Sequence, residues 1–230
     1  MTLSSAKITA IQALSPTVKL LELSCEPPLS FIPGQWVLVE ANRDGKTEAA
    51  AYSISSIPNS NNSIEIAVKH VTQIPISGYL HQLKTGEPLQ ISAAQGDTVL
   101  PQNPTGPMVF IAGGTGIAPL LCMAKSLLQN QYTYPIRFLI SCTTLDECIF
   151  HEELQQLRKT ADFDFSITTT KEQNPKATYH GRINDAMLNP LLLDQAQFYL
   201  CGPPNMVDHV NERLIQCGVA AERVYFDKWW

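Results

Sequence analysis

The chain has 230 residues, long for one ordinary domain and comfortable for two of about 100 to 130 residues each. Hydrophobic residues make up 44% and charged residues 16%, a globular composition. The net charge of -5, with Lys and Arg scattered, excludes a general nucleic-acid binder, which needs clustered cations to displace phosphate counterions.

The opening residues lack a basic stretch followed by an apolar core, so no secretory leader is expected. From there residues 7–12, 18–23, 35–40, 51–55, 63–69 and 89–92 read as short strands, rich in β-branched or apolar side chains. Pro27 and Pro28, Pro33 and Gly34, Asp44 and Gly45, and Pro58 and Asn59 separate them. One short helix is expected at 77–83, ended by Thr85 and Gly86. Short strands with little helix predict an N-terminal antiparallel β-barrel over residues 1–100. The segment 100–107, with Pro101, Pro104 and Pro107, continues neither strand nor helix and reads as the linker.

The rhythm then changes. Strands are predicted at 108–112, 136–141, 163–168, 198–201 and 223–226, with helices at 117–129, 150–159 and 206–216. Alternation of this kind implies a C-terminal α/β parallel-sheet domain over 107–230. No apolar run approaches about 18 residues, so no membrane span is expected. The six cysteines form no CxxC and no iron–sulfur spacing, which predicts reduced thiols in a cytoplasmic protein. The five histidines show no metal-ligand spacing, and no metal is expected.

Two junctions in the second half carry chemistry. In Val109-Phe110-Ile111-Ala112-Gly113-Gly114-Thr115-Gly116-Ile117, a strand enters a glycine turn and then a helix. Glycines admit a ligand close to the backbone, and the helix start offers free N–H groups to a pyrophosphate. The turn is not GxGxxG and also suits a purely structural bend. In Phe198-Tyr199-Leu200-Cys201-Gly202-Pro203-Pro204-Asn205-Met206, a second strand ends in small, rigid residues before another helix. Cys201 would lie at the same sheet edge as Thr115, and also suits a plain buried position.

Together these motifs resemble the ferredoxin–NADP reductase family over nearly the whole chain. Within it the likeness is greatest to the short chains described as oxidoreductase NAD-binding domain-containing protein 1. Ile64-Glu65-Ile66-Ala67-Val68-Lys69 and the ending Phe226-Asp227-Lys228-Trp229-Trp230 carry that likeness. The resemblance implies a barrel that binds FAD, a domain that binds NADH or NADPH, and hydride transfer between the two cofactors. By the same resemblance Ser53, Thr115 and Cys201 are the catalytic positions, the last two flanking the nicotinamide. Gly113, Gly114 and Gly116 match the phosphate loop, and Gly202, Pro203 and Met206 a second wall. Tyr52, Ser53, Ile54, Val68, Lys69 and Ser77 match flavin contacts. Trp229 or Trp230 matches a terminal aromatic that covers the flavin, and both also suit a C-terminal anchor.

The family pattern breaks on the phosphate side of the flavin. Its Arg-x-Tyr-Ser becomes Ala50-Ala51-Tyr52-Ser53, and Thr72-Gln73-Ile74-Pro75 replaces glycines ahead of Ser77. Loosely held FAD is therefore expected. Three readings follow: an FAD-dependent NAD(P)H oxidoreductase serving an unidentified acceptor, an NAD(P)H:flavin reductase with flavin as substrate, and a nucleotide-binding subunit without turnover. Ser141, Thr143, Thr144 and Lys171 suit NADPH, whereas Asp146 and Glu147 oppose it, so the choice of nucleotide stays open.

Overall fold

In the first half, buried and more exposed side chains alternate along much of the second and third strands, which buries one face and leaves the other wetter. The computed structural model describes residues 2–43, 45–159 and 162–229. It forms two compact units, Met1–Leu100 with Leu121–Ser126, and Pro101–Leu120 with Leu127–Trp230.

The first unit contains β1 (Leu3–Ala13), β2 (Val18–Glu26), β3 (Trp36–Arg43), β4 (Lys46–Ser53), β5 (Ser63–Lys69), α1 (Pro75–Leu80) and β6 (Pro88–Ser92). Its antiparallel sheet has the order β4-β3-β6-β1-β2-β5. A bridge between Ile54 and Ile66 joins the end of β4 to β5, so the two edge strands meet and the sheet closes as a barrel. Ile8, Leu21, Leu23, Val37, Ile54 and Ile66 fill the interior.

The rest of the chain forms β7 (Met108–Gly113), α2 (Ile117–Gln129), β8 (Ile136–Cys142), α3 (His151–Leu157), β9 (Phe163–Thr169), β10 (Tyr179–His180), α4 (Asp185–Leu188), β11 (Gln197–Gly202), α5 (Pro204–Gln216) and β12 (Val224–Lys228), all in the second unit except the Leu121–Ser126 stretch of α2. All its pairings are parallel, in the order β10-β9-β8-β7-β11-β12. Every residue of central β7 is buried, as in a sheet covered on both faces. Val207, Val210 and Leu214 on α5 pack with Phe198 and Leu200 of β11.

Several boundaries differ from the sequence expectation. Helix α5 begins at Pro204, ahead of the predicted 206, because a proline in the first turn loses no hydrogen bond. The same holds for α1, which begins at Pro75 and stops at Leu80, short of the predicted 83. Helix α3 starts at His151 because Phe150 is left-handed with φ 61°, and Arg158 and Lys159 fall beyond its last turn. Strand β10 and helix α4 were not expected, since two and four residues are too short to show a period.

Candidate functional site

Strand order places a crevice in the second unit. From β7 the chain moves outward through β8, β9 and β10, then returns to β11 on the other flank of β7. The connections leaving β7 and β11 therefore diverge beyond the carboxyl ends of these neighbours, where open α/β sheets take ligands. Cys201 pairs with Ala112 across the two strands, so both end together, β7 in Gly113 and β11 in Gly202.

Close approach explains the glycines on the facing turns. A Cβ on Gly116 would lie 2.2 Å from the Cys201 carbonyl oxygen, and one on Gly202 would lie 2.9 Å from Gly113 Cα. A Cβ on Gly113 would meet Pro203 Cδ and Met206 Sδ at 2.7 Å. Gly113, Gly116 and Gly202 thus let the two walls touch each other. Gly114 differs: its φ of +54° favours glycine, and nothing lies within 4 Å of its Cβ position. Its open backbone and the half-buried Thr115 form the accessible part of the turn, which leads directly into α2.

Cys201 is 1% exposed, and burial pushes its thiol well above the usual range. The charge of Asp227 adds to this, so Cys201 is a neutral wall. The Trp229 N–H donates to the Gly202 carbonyl at 2.9 Å, so this tryptophan is anchored to the second wall. Lys228, one residue earlier, pairs with Asp208 on α5 at 2.6 Å. Trp230 lies outside the described residues.

In the barrel, Tyr52 is 9% exposed and its hydroxyl is buried without a hydrogen-bond partner. Such an atom normally finds a partner, and an acceptor on a bound group would supply one. Half-buried Ser53 pairs with Trp36, and buried Ile54 makes the closing bridge. Val68 is buried and its carbonyl takes His81 Nε2 at 2.8 Å, while Lys69 is exposed at the strand end.

The phosphate side is poorer in donors. Ser77 Oγ accepts from the Val71 N–H at 2.9 Å and lies 2.7 Å from the Ile74 carbonyl, so it is engaged in closing its own loop. Pro75 has no N–H, and the Ser77 N–H is given to Ile74 at 2.9 Å. Half-buried Ala50 shares a strand face with Tyr52 and offers nothing polar.

Sequence reasoning missed Glu172, whose carboxylate accepts from the Leu145 N–H at 2.5 Å at the carboxyl end of the sheet. It also missed the Cys142 thiol, which donates to the Thr168 carbonyl of the neighbouring strand at 3.7 Å. Among the described residues, no helix is long and apolar enough to cross a membrane.

Comparison with known proteins agrees with this division. Residues 5–99 match the family described as oxidoreductase FAD-binding domain, and residues 110–212 match the oxidoreductase NAD-binding domain. A flavohemoprotein of Bacillus cereus is 30% identical over 213 residues, 86% of this chain and 53% of that protein. The reductase component of propane 2-monooxygenase from Rhodococcus jostii is 24% identical across 97% of this chain and 62% of its own. The chain spans about half the length of the flavohemoproteins it matches. The FAD/NAD-binding domain of nitric oxide dioxygenase from Vibrio cholerae shares the fold with a TM-score of 0.89, at 24% identity and 98% coverage of both chains. A ferredoxin NADP+ reductase from Neisseria gonorrhoeae, solved with bound FAD and NADP, gives 0.88 at 20% identity, covering all of both chains. Carrying an oxidoreductase FAD-binding domain followed by an oxidoreductase NAD-binding domain on this fold, the chain belongs to the ferredoxin reductase-like family.

Proposed function

We propose that the chain is an NAD(P)H-dependent flavin oxidoreductase that draws electrons from NADH or NADPH and delivers them, by way of FAD, to an electron acceptor. The observation that carries this reading is the presence of FAD-binding and NAD-binding domain patterns in one chain. Relatives named as flavohemoproteins and reductase components support an electron-delivering role. When bound, FAD supplies acceptance of a hydride and its release as electrons. The protein supplies position and exclusion of water.

Each named residue has a part in this. The open backbone at Gly114, with Gly113, Gly116 and the start of α2, would hold the nucleotide pyrophosphate. Thr115 and Cys201 would flank the nicotinamide, with Gly202, Pro203 and Met206 as the second wall. Cys201 stays protonated, so it acts as a shaped surface and takes no proton. Tyr52, Ser53 and Ile54 would hold the flavin ring, and Val68 and Lys69 would border it. Trp229 would cover one end of the site. A reducing compartment such as the cytoplasm suits the six free thiols.

A second reading, in which flavin comes and goes as a substrate, is favoured by Ala50 and by the engaged hydroxyl of Ser77. The visible spectrum of purified protein, with NADH and NADPH oxidation followed with and without FAD or FMN, separates the two. Yellow protein reduced by nucleotide supports tightly held FAD. Colourless protein with flavin-dependent turnover supports the second reading. Nucleotide binding without turnover under any condition overturns both and leaves a non-catalytic subunit.

A further inference from the structure

The ends of β8 and β9, on the flank of β7 away from β11, are joined by a network of polar bonds centred on one carboxylate. The two strands end side by side at Cys142 and Thr169, which are in register. Beyond them the chain continues as two loops, 143–150 and 170–178. Glu172 on the second loop is half-buried. Its Oε1 accepts from the Leu145 N–H of the first loop at 2.5 Å and from Asn174 Nδ2 of its own at 3.3 Å. Its main-chain carbonyl accepts from Thr169 Oγ1 at 2.7 Å and from His180 Nδ1 of β10 at 2.8 Å. One residue thus ties together the ends of three strands.

The bond to Leu145 has a local cause. Leu145 opens a single 3₁₀ turn, Leu145–Glu147, and the first N–H groups of such a turn find no acceptor within it. The preceding Thr144 makes no side-chain cap bond. The Glu172 carboxylate fills that place from 27 residues away. A carboxylate acceptor makes a stronger hydrogen bond than a neutral one. Backbone bonds hold the roots of the two loops, where the Thr170 and Lys171 N–H groups donate to the Cys142 and Thr143 carbonyls at 3.0 and 2.9 Å. Glu172 carries the tie further out, to Leu145.

The tie lies beside the proposed nucleotide site. There the pyrophosphate would lie at the β7 turn and the nicotinamide between Thr115 and Cys201, toward β11. Strands β8 and β9 stand on the opposite flank of β7, with Ser141 of β8 in register with Gly113. With one half of the dinucleotide on the β11 side, the adenosine half would pass over the carboxyl ends of β8 and β9. We propose that Glu172 is a positioning residue for that half: by holding the Leu145 N–H it fixes loop 143–150 against loop 170–178 before the nucleotide arrives. This role rests on the proposed nucleotide site.

A wall fixed in advance spares the binding energy that ordering two loops would consume. The tie therefore acts on affinity and leaves the hydride step alone, so its loss raises KM and spares kcat. Residue 172 must supply an acceptor, which a glutamine carbonyl does and an alanine does not. Residue 145 must supply an N–H, which proline lacks. Thr144, at φ -134° and ψ 164°, already has the extended backbone that precedes a proline, and the first position of a helical turn accepts one. Leu145→Pro thus removes the bond from its other end and leaves the carboxylate in place.

The test titrates the full chain calorimetrically with ADP-ribose, which carries the adenosine half and the pyrophosphate. Turnover is followed at saturating FAD, with ferricyanide as acceptor, using NADH and reduced nicotinamide mononucleotide, which lacks the adenosine half. In Glu172→Ala, ADP-ribose affinity should fall about fivefold or more, the cost of ordering one or two side chains on binding. The NADH KM should rise in step with kcat unchanged, and the KM for the mononucleotide should not move. Glu172→Gln should recover most of the lost affinity. Leu145→Pro should reproduce the loss, and Leu145→Ala, which keeps the N–H, should not. Unchanged ADP-ribose affinity in Glu172→Ala and Leu145→Pro overturns the proposal. An equal rise in KM for both nucleotides also overturns it, because the unit as a whole would then have loosened. Native protein that binds neither ADP-ribose nor NADH overturns the nucleotide site itself, and the role of Glu172 with it, a failure read without any variant.

Discussion

Ala50 and Tyr52 lie two residues apart on one face of β4, opposite Val39 and Val37. The proposed flavin site would give the buried, unpartnered tyrosine hydroxyl a polar partner, and Ala50 offers no cation beside it. A charge-assisted hydrogen bond is worth about 1.5–3 kcal/mol, which corresponds to about ten- to a hundredfold in affinity. Ala50→Arg should therefore tighten FAD binding by about that factor, read by fluorescence titration; unchanged affinity would mean that the flavin phosphates do not pass position 50. His81 gives a second test at this scale. Burial holds its imidazole below the usual range, Lys19 and His70 add to this, and only the Val68 carbonyl opposes it. The fold thus favours neutral His81. Its contribution is complete above the ordinary value of 6.5 and is lost as pH falls through the lower folded-state value. The melting temperature should drop between neutral pH and pH of about 5 in the native sequence. His81→Gln should flatten that slope, and an equal slope in both proteins would refute the assignment.

At the scale of elements, the site is two turns pressed together, and its glycines do different work. Gly116→Ala drives a methyl into the Cys201 carbonyl at the carboxyl end of β11, an atom that cannot step aside, so the walls must part. Gly114→Ala meets open space and costs only the strain of a left-handed alanine, of order 1–3 kcal/mol. Thermal melts should show a larger loss for Gly116→Ala, while both variants lose nucleotide affinity; equal melting temperatures would mean that the walls are not in contact. The sequence made the strand–turn–helix junctions legible because β7 and β11 are short apolar runs of strand length, α2 has the length of a helix, and Gly and Pro punctuate their ends. It could not separate a packing glycine from a ligand-facing one, because Gly113, Gly114 and Gly116 look alike until Met206 and Cys201 arrive from a distant segment. The same limit hid the role of Ser77, whose hydroxyl reads as a phosphate donor in a motif and proves to be closing a loop.

For the whole molecule, the separate cores of the two units make a sharper demand than the presence of either site. Ile8, Leu21 and Ile66 belong to the barrel core, whereas Val109, Leu200 and Val207 belong to the core of the second unit. Ala50 packs against the barrel core, whereas Gly114 belongs to neither core cluster, so the effects of changing them on ligand affinity should be independent. In ferricyanide reduction driven by NADH or NADPH at saturating FAD, Gly114→Ala should raise the nucleotide KM severalfold and Ala50→Arg should leave it unchanged. In flavin titrations without nucleotide the order should reverse. The double variant should show the sum of the single effects in each assay, within about 0.5 kcal/mol. A larger departure would mean that flavin and nucleotide affinities are coupled through the protein, because each ligand would then be sensing a substitution made in the other's unit.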